Sequence, residues 1–342
     1  MVAEARAKMR RGAPRPDSYG PHIPVELRRD RAFGLDDGCL VGTNGQGGDT
    51  GLLALCKPVH PALREGAEQV IFVNGMRTRP APFMENMRAV AESADGCVVH
   101  GIYNGSRGGG RDVIRGYNDH LRARQNPAVV QLARTFERAM VRGHALHVIA
   151  HSQGAAVTAE ALRLASNSVA GRFPPHVVEK GLASFRIETH GAAGCRFIDG
   201  PRYVHYINTE DPVPHFSGLA PGLCLSHLHH PGRGAVMRYF TYVEPSHRDP
   251  TLFEHWERLV HSMAIYAKHR EPFDVAYARG SSKLSKRELL ARLRWAPVRA
   301  VVDLAMLPAS CLSLCRHIGR RLRGQSPADR GRAPGATLSA GR

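Results

Sequence analysis

The chain contains no run of 18 apolar residues, so we expect no ordinary transmembrane helix. The N-terminus is positively charged but lacks the apolar stretch of a signal peptide. We therefore expect a cytoplasmic or peripheral-membrane protein, with export by a non-classical route left open. The glycine-rich segment 42–48 fits neither a phosphate-binding loop nor a dinucleotide fingerprint. We interpret it as a turn and predict no cofactor.

The cysteine and histidine residues also lack the spacing of known metal sites. Seven cysteines, an odd number without a CxxC pair, argue against a disulfide framework and against a thiolate zinc site. Histidines 227, 229 and 230, with His215 upstream, have neither helical nor zinc-finger spacing and no interleaved acidic partner. We predict no metal site and interpret the cysteines as reduced residues of the core and loops.

Acidic residues are scarce beside basic ones, with 30 Asp and Glu against 47 Lys and Arg and a net charge of +17. The excess is uneven: residues 281–342 hold thirteen basic and three acidic residues, a net +10. Such a tail suits an anionic membrane surface, nucleic acid or an acidic partner protein. A solvated extension without a partner is the alternative.

The basic tail also contains an apolar segment. Residues 298–314 are apolar apart from Arg299 and Asp303, and several arginines follow them. An apolar segment bordered by arginines is typical of a helix that lies on a membrane surface. We therefore predict that residues 281–324 contact an anionic membrane, and we do not expect nucleic acid as the partner. A helix packed on the body of the protein is the alternative.

Apolar runs alternate with helical patterns between the two basic ends of the chain. Residues 1–32 are rich in Pro, Arg and Gly and are interpreted as a flexible basic arm. Residues 33–280 form the predicted domain, an α/β fold with a mostly parallel sheet and helices on both faces. Strands are predicted at 70–73, 97–102, 146–150, 185–189 and 203–207, and helices at 82–93, 127–142 and 253–267.

One strand leads into a distinctive turn. The apolar run 146–150 ends in Ala-His-Ser-Gln-Gly, and a small-residue helical pattern follows at once. This context matches the nucleophile elbow G-x-S-x-G, with Ala150 at the first glycine position. Small residues are required two positions before and after the serine, because larger side chains would collide with the flanking strand and helix. Ser152 is therefore the candidate nucleophile, placed beside a helix N-terminus.

A serine nucleophile needs a base, and the base needs a carboxylate to orient it. Asp211 follows the predicted strand 203–207 in a proline-stiffened loop, where such a carboxylate belongs, and is preferred to its neighbour Glu210.

The base is harder to choose, because many histidines follow Asp211. His261 is preferred, with His255 and His247 as alternatives. Residues 216–240, between acid and base, are interpreted as a loop or a lid.

The oxyanion formed during acyl transfer needs backbone donors. The N–H of Gln153, directly after the nucleophile, is one candidate. The second is expected in the loop after the first strong strand, where Gly75 allows close approach and Met76 is the predicted donor.

The order of these segments resembles that of the α/β-hydrolases of the lipase and esterase type, and of class 3-like lipases in particular. The segments that carry the resemblance are 70–76, 100–105, 150–154, 208–214 and 261–266. The resemblance covers roughly residues 68–270 and implies an α/β-hydrolase fold with a Ser152–Asp211–His261 triad. It implies hydrolysis of carboxylic esters, with lipid-like esters favoured. The alternative is a non-catalytic binding or effector protein of the same fold that uses its basic tail on a membrane or nucleic acid.

Overall fold

The structure is a computed structural model. It describes residues 40–42, 47–48, 69–76, 78–94, 97–105, 126–193, 196–217, 230–243 and 257–283, together with residues 286, 289, 290 and 293. The predictions for the arm at 1–32 and for nearly all of the tail at 281–342 lie outside these residues.

A single sheet with the strand order β2-β1-β4-β3-β5-β6-β7-β8 organises the described chain. Strands β3 to β8 are all parallel, whereas β1 runs antiparallel to both β2 and β4. The strands are β1 (Leu40–Gly42), β2 (Gly47–Gly48), β3 (Gln69–Val73), β4 (Val98–Ile102), β5 (Leu146–His151), β6 (Phe185–His190), β7 (Arg202–Asn208) and β8 (Val236–Phe240).

Helices cover both faces of this sheet, as predicted. Alternate residues of a strand point to opposite faces, so Ile71 and Val148 pack with α2, α3 and α4, whereas Phe72 and Ile149 pack with α1, α6 and α7. Among the described helices, none combines the length and apolarity needed to cross a bilayer. The helices are α1 (Pro80–Ser93), α2 (Pro127–Arg142), α3 (Gln153–Ala170), α4 (Pro175–Ala183), α5 (Pro212–Ser217), α6 (Met263–Lys268) and α7 (Phe273–Arg279), with a π-helical turn at Glu257–His261.

Local sequence signals explain why α2 has the bounds that its spacing predicts. The Asn126 side chain accepts a hydrogen bond from the N–H of Ala128 at 2.9 Å, and Pro127 occupies the first turn. At the other end Gly143 adopts the left-handed conformation with φ of 69°. The helix therefore begins and ends where its own residues specify.

Three of the sequence interpretations are wrong in part. Residues 236–240, placed in a loop or lid, form β8, the outermost strand on its side of the sheet. The glycine-rich segment interpreted only as a turn contributes residues to two short paired strands, β1 and β2. The helix predicted over 253–267 is interrupted at Ser262, whose hydroxyl accepts a hydrogen bond from the N–H of Ile265 and begins α6.

The chain stays attached to β8 after α7. The N–H of Ser282 donates to the carbonyl of Met237 at 2.9 Å, and its hydroxyl accepts a hydrogen bond from the N–H of Tyr239 at 2.8 Å. These bonds satisfy backbone groups that an edge strand otherwise leaves open. Ordered structure thus continues just past the predicted domain boundary at residue 280.

A buried ion pair joins the middle of the sheet to the chain that follows α6. Both carboxylate oxygens of Glu188 on β6 accept hydrogen bonds from Arg270, at 2.7 and 2.9 Å. His147 contacts the same carboxylate at 2.7 Å, and Arg270 also donates to the carbonyl of Ser93. Burial acts to raise the pKa of Glu188, but hydrogen bonds from the imidazoles of His147 and His190 and the charge of Arg270 hold it well below its usual range.

We expect Arg270→Met to lower the free energy of unfolding by about 3–5 kcal/mol, because it leaves a buried carboxylate without its cation. The exposed pair of Arg233 and Asp199, at 3.4 Å, provides the matched control. Arg233→Met should cost only about 0–1 kcal/mol. Urea denaturation measures both values. The double variant Glu188→Gln/Arg270→Met should lose less than the sum of its single changes, and simple additivity would contradict the pairing.

Candidate active site

Ser152 sits on a strained turn between β5 and α3. Its φ of 54° is positive, which among the described non-glycine residues is seen only here. The N–H of Ser152 donates to the carbonyl of His190, and its carbonyl accepts a hydrogen bond from the N–H of Ala193, both at 3.0 Å. A conformation of this kind costs of order 1–3 kcal/mol and persists where surrounding contacts enforce it. The turn therefore has the backbone geometry of a nucleophile elbow.

The requirement for a small residue after the serine has a direct cause. A Cβ atom on Gly154 would lie 2.3 Å from the carbonyl oxygen of Val73, a main-chain atom of β3 that cannot move aside. Two positions before the serine, Ala150 is fully buried in β5. Helix α3 thus passes close to the neighbouring strand, and the sequence keeps both positions small.

The structure brings Asp211 and His261 together although 50 residues separate them. Nδ1 of His261 lies 2.6 Å from Oδ2 of Asp211. Asp211 follows β7, and its other oxygen accepts a hydrogen bond from the N–H of Val213 at 2.9 Å. A carboxylate that accepts the Nδ1 proton fixes the tautomer and leaves Nε2 free of a proton.

Of the alternatives to these two residues, the structure describes Glu210 alone. Glu210, the neighbour of Asp211, is partly exposed, and its N–H donates to the side chain of Asn208. His247 and His255 lie outside the described residues.

One backbone turn contacts all three predicted catalytic residues. The carbonyl of His190 holds the N–H of Ser152. A Cβ on the next residue, Gly191, would lie 2.8 Å from Oδ2 of Asp211 and 3.0 Å from Nδ1 of His261. Gly191 also has a positive φ of 56°. Ser152, Asp211 and His261 therefore cluster around the turn that follows β6. The sequence patterns do not predict a role for Gly191.

His151 supports the segment that carries His261. Its Nε2 lies 2.7 Å from the main-chain carbonyl of His261, to which it donates, and the two rings lie 4.7 Å apart. Burial, with a smaller contribution from the charge of His261, holds the pKa of His151 well below its usual value. His151 is thus a neutral donor at ordinary pH. No pattern within one segment predicts this role, because the contact joins segments that are distant in the chain.

Both segments that carry the predicted oxyanion donors adjoin Ser152. A Cβ on Gly75 would come within 3.1 Å of the Ser152 hydroxyl, so this loop approaches the nucleophile closely. Met76 follows Gly75 in the same loop, and Gln153 is the first residue of α3. The first N–H groups of a helix have no acceptor within the helix and can face an anion.

Side-chain amides hold the loop of Gly75 in place. Asn74 donates to the carbonyls of Gly75 at 2.8 Å and Asn104 at 3.0 Å, and its own oxygen accepts the N–H of Asn104. Asn104 also donates to the side-chain oxygen of Gln153 at 3.0 Å. This amide network links both predicted donor segments, and it was not identified from the sequence.

The cluster is nearly closed to solvent, with exposed fractions of 0% for Asp211, 4% for His261 and 5% for Ser152. Charges that form there are poorly screened, which strengthens their interaction with oriented donors. Within the part of the chain that the structure describes, no three metal-ligating side chains are grouped. His215 instead contacts the carbonyl of Thr209, while residues 227 and 229 lie outside that part.

Comparison with protein-family models and with curated proteins gives no match to this chain.

We expect Gly154→Ala to destabilise the fold by about 3 kcal/mol or more, because its methyl group would overlap the main chain of β3. Gly171, at the other end of α3, is the matched control, since its φ is −74° and a Cβ there would meet nothing closer than 3.5 Å. Gly171→Ala should leave stability unchanged or raise it by about 0.4–1 kcal/mol. Thermal unfolding of both variants measures the difference. Equal melting temperatures would contradict the proposed close contact.

Proposed function

We propose that this protein is a serine hydrolase of carboxylic esters with an α/β-hydrolase fold. The hydrogen bond between Asp211 and His261, beside the strained turn of Ser152, is the observation that carries the proposal. The three residues follow β5, β7 and β8 in the chain order Ser, Asp, His. This order and the elbow between strand and helix are those of α/β-hydrolases.

The geometry supports acyl-enzyme chemistry. His261 accepts the hydroxyl proton of Ser152 at Nε2 while Oγ attacks the ester carbonyl. Asp211 stabilises the imidazolium that forms, and the N–H groups of Gln153 and Met76 are the proposed donors to the oxyanion. The imidazolium then protonates the departing alcohol. A water molecule, activated by His261 in the same way, hydrolyses the acyl-enzyme and restores Ser152.

Lipid-like esters are the proposed substrate class, and an anionic membrane is the proposed partner of residues 281–324. Support comes from the net charge of +10 in residues 281–342 and from the resemblance to lipases. Three leucines of this region are well exposed, Leu289 by 50%, Leu290 by 67% and Leu293 by 58%. Exposed apolar side chains among basic residues favour contact with a membrane surface.

Ser152→Ala should lower ester turnover by several orders of magnitude and abolish covalent labelling by a fluorophosphonate, because the nucleophile is lost. The matched control is Ser166→Ala in the same helix, since the buried Ser166 hydroxyl has no hydrogen-bond partner among the described residues. That variant should keep labelling and turnover. A folded Ser152→Ala protein with normal turnover would refute the proposal. A wild-type protein that is neither labelled nor active on esters would favour the non-catalytic binding protein.

Deletion of residues 284–342 should abolish co-sedimentation with anionic vesicles, because each basic residue near such a surface contributes on the order of 1 kcal/mol. This boundary keeps the bonds of Ser282 to β8. Hydrolysis of a short soluble ester should be unchanged, and added salt should weaken vesicle binding of the full chain. Vesicle binding that survives the deletion would show that the membrane contact lies elsewhere.

A further inference from the structure

Asp211 accepts a second side-chain hydrogen bond that the triad itself does not require. The hydroxyl of Tyr266 lies 2.6 Å from Oδ2, the same oxygen that contacts Nδ1 of His261. With the N–H of Val213 on Oδ1, the carboxylate has three hydrogen-bond donors around it. Tyr266 is fully buried on α6, five residues after the histidine.

The direction of the Tyr266 hydrogen bond is determined by its other partner. The main-chain N–H of Asn208 donates to the Tyr266 oxygen at 3.2 Å, so the hydroxyl proton is left for Asp211. A carboxylate can only accept. Burial, followed by the charge of Asp211 and the hydrogen bond to it, raises the pKa of Tyr266 well above its usual value. Tyr266 therefore remains a proton donor across the pH range in which an imidazole titrates.

Packing holds the tyrosine in this position. Its ring contacts Phe240 of β8 edge-to-face at 5.2 Å and His190 of β6 at 5.8 Å. The cap at Ser262 starts α6 between His261 and Tyr266, so one short segment presents both side chains to Asp211. Tyr266 cannot turn away without disturbing the sheet face on which α6 packs.

We propose that Tyr266 is a positioning residue that sets the basicity of His261 through Asp211. A hydrogen bond to a carboxylate stabilises its charge and lowers its affinity for protons. The attraction between the Asp211 carboxylate and a protonated His261 is then weaker. We therefore expect His261 to lose its positive charge at a lower pH than it would without Tyr266. More of the enzyme thereby holds the neutral imidazole that can accept the proton of Ser152. This role rests on the proposed function of His261 as the base.

Asp211 is a charged group that faces His261 directly, with its Oδ2 2.6 Å from Nδ1. From β5 the imidazole of His151 lies against the ring of His261, and from β6 His190 lies against Tyr266. Burial lowers the pKa of His151 and of His190, so neither of these histidines adds a positive charge beside His261. Tyr266 itself is neutral. The acid limb of the pH–rate profile is therefore expected to depend on the basicity of His261, which Asp211 and its hydrogen-bond donors influence.

The test compares two buried tyrosines that lose the same atom. Tyr266→Phe should move the acid limb of the kcat/KM profile upward by about 0.5–1 pH unit and leave turnover above that limb largely intact. Tyr206→Phe is the control, since its hydroxyl donates to the carbonyl of Glu271 and accepts the N–H of the same residue. The acid limb of the Tyr206→Phe profile should lie at the same pH as that of the wild type. A Tyr266→Phe profile identical with wild type, or an equal shift in Tyr206→Phe, would overturn the proposal.

A second variant tests the sign of the effect if Tyr266→Phe does not fold. Site-specific 3-fluorotyrosine at position 266 keeps the hydroxyl and makes it a stronger donor, so the limb should move to lower pH. An unchanged or raised limb would overturn the proposal.

NMR titration of the His261 imidazole in a Ser152→Ala background measures the same pKa without turnover. If the protein hydrolyses no ester, the proposed function fails, yet this titration still decides whether Tyr266 acts on His261. If Ser152-dependent hydrolysis is present and the titration is unshifted in the Tyr266 variants, the role of Tyr266 alone fails.

Discussion

The close passage of α3 across β3 is the constraint on which the site depends. Gly154 lies against the main chain of Val73, and two residues earlier the chain turns at Ser152 with a positive φ. The strain is balanced by the bonds that His190 and Ala193 make to the backbone of Ser152. The strained backbone costs free energy, and in return it holds the Ser152 hydroxyl in a fixed orientation beside a helix N-terminus. A bulkier residue at position 154 would remove the turn together with the close packing.

The opposite side of the site depends on buried charge. Arg270 follows α6 directly, and its bidentate contact with Glu188 ties that end of the helix to the centre of the sheet. The cap at Ser262 fixes the other end. His261 lies immediately before the cap, so the ion pair and the cap together determine where the imidazole sits. Packing on a rigid sheet holds such a group more closely than a free loop would.

Local signals explain which parts of the fold could be predicted. The buried strand at 70–73 and helix α2 have strong periodicity or end signals in their own residues. Strand β8 does not: it lies at the sheet edge, is only partly buried and includes Arg238. The site likewise contains residues that local patterns predict and residues that they do not. The elbow motif predicts Ser152, the end of a predicted strand indicates Asp211, and the resemblance to lipases favours His261. The contacts of His151 and Tyr266 span 110 and 55 residues, and no pattern within one segment encodes them.

The carboxylates of Glu188 and Asp211 are both fully buried, but their hydrogen-bond partners differ in charge. Glu188 faces the permanent cation of Arg270, which cancels its charge and makes it a structural anchor. The donors around Asp211 are an N–H, a phenol and an imidazole, none of which is a permanent cation. These donors stabilise the negative charge of Asp211 but add no permanent positive charge that would neutralise it. A cation at Asp211 would leave little attraction for a transient imidazolium, whereas neutral donors keep that attraction and moderate its strength. The placement of arginine at Glu188 and tyrosine at Asp211 therefore separates the charge that holds the fold from the charge available for the proposed catalysis.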